Sequence, residues 1–231
     1  MAASRLSWFI PVLCLFVPAA ALSASSPDML GSSNVFLQYD AASGDLALRV
    51  GLTGEDWKDI QIITPDGRIL FGARGQGPLG RLGLADLSFT GDATPLDKVP
   101  LERLLLVFPE GRYQFVGTNS LGQRVLGHDT LNHVVPAAPV IEVGTEGGVV
   151  TVSWAPVTDV AQGFPEEPVT ITAYRVLGEK GFAATLPPTA TSLTIPSQVV
   201  DFLGSGAHTV QVLAVEKGGN RTVGTATFTL P

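Results

Sequence analysis

The sequence predicts an all-β protein: two small β-sandwich-like domains behind a leader, the first with one or two short helices. Three observations predict it. Apolar residues recur at period 2 along most of the chain, the spacing of half-buried strands. Turn formers are dense, with 26 Gly and 17 Pro in 231 residues. A short Pro-rich stretch, Val134-Val135-Pro136-Ala137-Ala138-Pro139, divides the pattern into two halves, each near the usual size of a domain, about 100 residues. The expected layout is a leader at 1–24, a β-rich domain at 25–135 and a second β domain at 136–231, with a stiff hinge between them.

The leader comes first. Arg5 supplies a positive start, Trp8 to Val17 is a short apolar run, and small residues from Ala19 to Ala24 follow Pro18. This is the pattern of a secretory signal, with cleavage expected after Ala24 and Ala21 as the competing site. The run is well short of the roughly 20 apolar residues a membrane span needs. Cys14 lies inside the apolar run after Leu13, which excludes it as a lipidated residue. It is the only Cys and is expected to leave with the leader. Thiol catalysis, Cys-ligated zinc and disulfides are then closed to the exported chain. The expected location is secreted or periplasmic, with no stable membrane span after cleavage.

In the first half, Leu46, Leu48, Val50 and Leu52 alternate with Ala47, Arg49 and Gly51. Ile60 and Ile62 precede Thr64-Pro65-Asp66-Gly67, and Ile69 and Phe71 follow it. Pro presets φ and Gly accepts positive φ, so this segment reads as a hairpin turn. Two helices are expected. One runs from Gly83 to Phe89. The other runs from Pro100 to Phe108, with Pro in the first turn and Leu101, Leu104, Leu105 and Phe108 on one face. Tyr113 and Phe115 then alternate before a turn at Asn119-Ser120-Leu121-Gly122.

In the second half, Val150, Val152 and Trp154 form one inward row, and Ile171, Tyr174 and Val176 another. Leu193 and Ile195, then Val210, Val212 and Ala214, then Ala226, Phe228 and Leu230 complete the set. About seven short runs within roughly 95 residues signal a sandwich able to fold alone. Val150-Thr-Val-Ser-Trp154-Ala-Pro156, Ile171-Thr-Ala-Tyr174-Arg-Val176, Thr191-Ser-Leu-Thr-Ile195, Val210-Gln-Val-Leu-Ala214-Val215 and the turn Gly218-Gly-Asn-Arg221 resemble a fibronectin type III domain, with an immunoglobulin-like relative as the alternative. The resemblance implies strands B, C, E and F and the F–G turn, in that order, with Trp154 between the sheets. One departure stands out: the family's corner tyrosine falls at His208.

The first half carries a second resemblance. Phe108-Pro-Glu-Gly111-Arg-Tyr113-Gln-Phe115, Gly122 and Leu131-Asn-His133-Val-Val-Pro136-Ala-Ala-Pro139 are similar to a set of exported bacterial proteins in which a small β-rich domain leads into a fibronectin type III module. That likeness implies architecture and assigns no activity.

The formal charge of −7 and pI of about 4.9 argue against nucleic acid, which requires a Lys/Arg stripe, and against polybasic docking on anionic lipid. Gly75-Gln-Gly77-Pro-Leu-Gly80 matches a dinucleotide fingerprint in letters. Pro78 and the antiparallel surroundings favour a plain loop. His128 and His133, five apart in an expected strand, face opposite sides, and His208 belongs to the other half. Glu110, Glu166, Glu167, Asp201 and Glu216 lie near turns with no paired frame for glycoside hydrolysis. There is no calcium-loop spacing and no G-x-S-x-G elbow. Trp57 reads as a core residue, with sugar stacking as the alternative. Asn220-Arg221-Thr222 is a glycosylation sequon only in a eukaryotic secretory route. No catalytic residue, metal ligand or cofactor is expected, and no binding residue is assigned. The expected function is a non-enzymatic exported interaction or structural protein of the envelope or extracellular space, with an unidentified protein or glycan as partner. The alternative is a carbohydrate-binding or glycosidase-accessory protein, and a carboxylate hydrolase ranks below both.

Overall fold

The computed structural model describes residues 28–231. The expected leader, with Cys14 and the cleavage site, lies outside the described residues. The fold is all-β, and three short helices interrupt the strands.

The first half contains β1 (Asp28–Met29), β2 (Ser32–Asp40), β3 (Asp45–Ile63), β4 (Ile69–Arg74), α1 (Leu79–Leu82), β5 (Leu84–Thr90), β6 (Thr94–Pro95), α2 (Leu101–Val107), β7 (Gly111–Asn119) and β8 (Arg124–Leu131). Alternation places Val35 and Leu37 of β2 and Leu46, Leu48, Val50 and Leu52 of β3 in one core. The 19-residue β3 serves two sets of partners within one sheet. Its first part pairs antiparallel with β2 and β5, and its last part with β4 and β7. The register breaks between Thr53 and Trp57, where Asp56 adopts φ 61°. That left-handed turn is held by Ser120: its hydroxyl donates to the Asp56 carboxylate at 2.7 Å and its N–H to the Asp56 carbonyl at 3.0 Å. The bend wraps the chain around Trp57, Ile60, Ile62, Tyr113, Phe115 and Leu131. β8 pairs with β7, and β1 adds to β8 in parallel.

The Thr64–Gly67 turn joins β3 to β4 as expected, closed by the Gly67 N–H donating to the Thr64 carbonyl at 2.9 Å. The helix expected within Pro100–Phe108 is α2; Leu101, Leu104, Leu105 and Phe108 pack on the core, and Leu106 and Val107 are exposed. The helix expected at Gly83–Phe89 is instead strand β5. Leu84 and Leu87 are spaced to suit a helix face, but Leu87 and Phe89 alternate against β3, and the ladder to Arg49–Thr53 decides the outcome.

The second half contains β9 (Ile141–Glu146), β10 (Val149–Trp154), β11 (Ile171–Gly178), β12 (Ala183–Leu186), β13 (Ser192–Ile195), α3 (Ser197–Leu203), β14 (Gly206–Glu216) and β15 (Arg221–Leu230). One sheet runs β13-β10-β9 and the other β15-β14-β11-β12. Between them lie Val150, Val152, Trp154, Tyr174, Val176, Ile195, Val210, Val212 and Phe228. The Trp154 and Tyr174 rings stand 5.4 Å apart, and the Tyr174 hydroxyl accepts from the Val157 N–H at 2.8 Å. α3, which has no counterpart in the sequence pattern, covers one end of this core with Val199, Val200 and Leu203.

The two halves share a ladder. Arg221–Val223 of β15 pair in parallel with Gln38–Asp40 of β2, so the two sheets become one continuous sheet. The segment expected to be a hinge is pinned. Val134, Val135 and Pro136 are buried, Pro136 bridges to Val160, and the Ala137 N–H donates to the Asp159 carbonyl at 2.8 Å. From beyond that segment, Ala161 and Phe164 join the first core, with the Phe164 ring 5.4 Å from Tyr39.

Candidate binding face

Asn220 organises the seam between the halves. It stands just before β15, after Gly218-Gly219, and is 0% exposed. Its side-chain oxygen accepts from the Leu37 N–H at 2.7 Å, and its amide donates to the Asn132 carbonyl at 2.9 Å, the Asn132 side-chain oxygen at 2.6 Å and the Val134 carbonyl at 3.1 Å. Every polar site that Asn220 offers toward the seam is used. Thr222, also 0% exposed, donates to the Pro136 carbonyl. Glu216, buried at the end of β14, accepts from the Gly218 N–H at 2.5 Å and from Asn132 at 3.5 Å. The sequon is therefore closed in the folded chain: both of its functional side chains are buried and committed to structure.

The joined sheet brings three arginines onto one face. Arg49 of β3 stands opposite Phe36 of β2, which is two residues from Gln38, the partner of Arg221 on β15. Arg175 of β11 stands opposite Leu213 of β14, which is opposite Val223, two residues from Arg221. Period 2 puts all three guanidinium groups on the side away from the cores. The Arg221 guanidinium lies 3.9 Å above the Phe36 ring and donates to the Gly219 carbonyl at 3.3 Å. Burial, with Arg175 and Arg49 nearby, pushes the Arg221 pKa down to about 10. Arg49 donates to the Thr90 hydroxyl, and its Nε is buried without a partner. The ion pairs among the described residues, Arg68–Asp66, His133–Glu110 and His208–Glu179, include none of the three arginines. Beside Arg49, a shallow trough of about 570 Å³ runs between β2, β3 and β5, lined by Asn34, Gly51, Ser88 and Thr90 among others.

No family model matches the chain, and no curated protein does. Among solved structures, it is similar to the spore cortex lytic enzyme SleM of Clostridium perfringens at 17% identity and TM-score 0.33, over 41% of this chain and 28% of that one. It is also similar to the BSP domain of a biofilm-associated protein at 16% identity and TM-score 0.25, over 87% of this chain and 29% of that one. A third likeness is to a 1.5-MDa bacterial ice-binding adhesin at 14% identity and TM-score 0.26, over 88% of this chain and 64% of that one. The chain thus spans less than two thirds of each of these chains. At such TM-scores the likenesses carry no argument about function.

The residues weighed from sequence fall in separate places. Trp57 is 1% exposed inside the first core and presents no face to a sugar. Gly75 and Gly80 belong to a loop that folds back on itself: a Cβ on Gly80 would stand 2.7 Å from the Gly75 carbonyl oxygen. The loop leads to the four-residue α1 and then to antiparallel strands, not to a βαβ unit. His128 is exposed on β8. His133 lies past the strand end rather than within it; its Nε2 is 2.7 Å from the Phe108 carbonyl oxygen and its N–H donates to Glu110 at 2.5 Å. His208 is buried, with Nδ1 3.2 Å from Glu179 and Nε2 3.0 Å from the Gly204 carbonyl oxygen. Glu166 and Glu167 are exposed in the loop between β10 and β11, and Asp201 is exposed on α3. Among the described residues, no three His, Cys, Asp or Glu side chains gather as a metal-ligand set, and no described helix is long and apolar enough to cross a membrane. The arginine row and the Asn220 lock were missed from sequence because strand pairing builds them across up to 183 positions. The one local sign was Arg49 on the polar side of an alternating strand.

Proposed function

We propose that the chain is an exported, non-enzymatic interaction protein of the cell envelope or extracellular space, whose second domain is fibronectin type III-like. The observation that carries the reading is the joined sheet, which presents one broad face with three arginines that take part in none of the ion pairs among the described residues. The scattering of His and carboxylate residues supports the non-enzymatic part. Three features support the domain assignment. The sheets β13-β10-β9 and β15-β14-β11-β12 follow the family's strand order, Trp154 lies between them, and His208 reaches a carbonyl four residues upstream, as a corner tyrosine does. The boundaries 25–135 and 136–231 belong to the same reading.

Fractionation of the natural producer with N-terminal sequencing, and a hydrolase panel on the purified chain, test the proposal. A chain that begins at Ser25 outside the cytoplasm and turns over no glycoside, peptide or ester substrate is expected. A cytoplasmic chain beginning at Met1, or turnover abolished by one carboxylate substitution, overturns it.

A further inference from the structure

We propose that one end of the first half, where the β3 bend, the start of β5 and the β7–β8 turn meet, docks a basic segment of a protein partner. The inference rests on the interaction reading above and names the class of partner.

A cavity of about 820 Å³ opens at that end. Asp28, Glu55, Asp56 and Asp86 line it, and no Lys or Arg does. The cations that neighbour these residues along the chain line other cavities: Lys58 and Arg81 beside the Gly75–Gly80 loop, and Arg124 between β4, β3 and β7. None of the four carboxylates joins an ion pair among the described residues. Carboxylates gathered in this way repel one another, and an arriving cation relieves the repulsion. A single metal ion is a poor match, because among the described residues no three His, Cys, Asp or Glu side chains come together as a ligand set. The charges are spread along the cavity wall instead of converging on one point. Spread carboxylates suit several Lys or Arg side chains carried on one segment.

The apolar rim makes that segment part of a protein. Met29 is 65% exposed and Leu121 79%, and both line the cavity. Leu82, 76% exposed, stands one residue before Gly83, where a Cβ would collide with the Asp56 side chain. Long aliphatic side chains left in water around one polar cavity mark an interaction site. A simple cation leaves them in water, whereas the apolar side chains of a protein segment cover them. The rim is also held in place before a partner arrives. The Asn119 side-chain oxygen accepts from the Leu121 N–H at 3.1 Å and the Gln123 N–H at 2.8 Å. The Asn119 amide donates to Gln123 Oε1 at 2.9 Å and to Asp28 at 3.3 Å. A turn fixed in this way presents Leu121 with little ordering left to do on binding.

Other occupants fit less well. Residues 25–27, Ser-Ser-Pro, which remain after the expected cleavage, bring no cationic or long aliphatic side chain. Two copies of this chain, each of net charge −7, would set carboxylates against carboxylates if they met through this cavity.

The test uses the whole mature chain and fluorescence anisotropy of labelled short peptides. The probes are an alternating Leu/Lys peptide, its Leu/Glu counterpart and its Ser/Lys counterpart, each at low and high salt. Binding of the Leu/Lys peptide is expected, weakening with salt, with none for Leu/Glu and a weaker interaction for Ser/Lys. Leu121→Ser should weaken Leu/Lys binding about tenfold, the loss of one anchor. Glu55→Gln combined with Asp86→Asn should weaken it by about the same factor, since exposed ion pairs contribute modestly one by one. Glu166→Gln combined with Glu167→Gln removes as much charge from the loop between β10 and β11 and should leave binding unchanged. If Leu121→Ser lowers the urea midpoint, Met29→Ser reads the loss of an anchor in its place. No binding of the Leu/Lys peptide, or an equal loss from the Glu166/Glu167 pair, overturns the proposal. Ser/Lys binding as tightly as Leu/Lys overturns it in favour of a cation without anchors. Dimerisation of the chain in sedimentation, abolished by Leu121→Ser, overturns it in favour of a second copy. Failure of peptide binding with export and inertness intact would leave the interaction reading standing, since fractionation and the hydrolase panel test that reading separately.

Discussion

At Asn220 one amide ties the tip of β15 to β2 and to the segment after β8. Asn220→Ala would leave the Leu37 N–H buried without an acceptor, together with carbonyls of Asn132 and Val134. A loss of roughly 2–3 kcal/mol in urea denaturation is expected. Trp154 stands at the centre of the second core, and Trp154→Ala should cost roughly 3–5 kcal/mol; a change under about 1 kcal/mol would mean the core does not depend on that ring. Glu179 gives a pH prediction. Hydrogen bonds from His208 and from the Thr209 N–H hold its carboxyl below the ordinary Glu range. A carboxylate whose pKa is depressed by folding stabilises the native state above its unfolded value, near 4.3 for Glu. That contribution is lost as the pH falls through the lower folded value. Glu179→Gln should therefore flatten the acid limb of the stability profile below about pH 4.3 and leave its slope at neutral pH unchanged. An acid limb identical to that of the wild type would contradict the assignment.

Among elements, β3 decides the first half. It changes pairing partners through the Asp56 turn, and β7 closes against it so tightly that a Cβ on Gly117 would lie 1.9 Å from the Asp59 carbonyl oxygen. Gly117→Ala must push the two strands apart, and a cost of about 1–3 kcal/mol, the usual range for overpacking, is expected from its thermal unfolding. The elements legible in the sequence were those with local causes. The Thr64–Gly67 and Asn119–Gly122 turns, the inward rows of β3, β10 and β14, and the apolar face of α2 all follow from spacing within a few residues. β5 was misread as helix because its apolar spacing fits both periods, and only the partner strand settles it. The segment was read as a stiff hinge because Pro136 and Pro139 are stiff in isolation, whereas Thr222, Val160 and Asp159 bind it from far along the chain. The arginine row was illegible for the same reason: each member is an ordinary polar position on its own strand.

At the scale of the described chain, two cores share the 12-stranded sheet, and the β13-β10-β9 sheet closes the second. The second core is complete within residues 141–230, so a 137–231 fragment should retain a cooperative β-type transition. Its urea midpoint should be lower than in the full chain, because Asn220, Ala161 and Phe164 lose their partners. In the full chain the β2–β15 ladder and the Asn220 lock couple the halves, so they should unfold together. The sequence supplies the probes: apart from Trp8 in the leader, Trp57 lies in the first core and Trp154 in the second. The most direct measurement is therefore urea denaturation of the mature chain followed by fluorescence of Trp154→Phe and Trp57→Phe, each of which leaves one reporter, with Asn220→Ala added to both. The account predicts that Asn220→Ala lowers the midpoint seen from Trp57 and the midpoint seen from Trp154 alike. A shift seen from only one tryptophan would contradict it, and the broad arginine face would then belong to two separate domains.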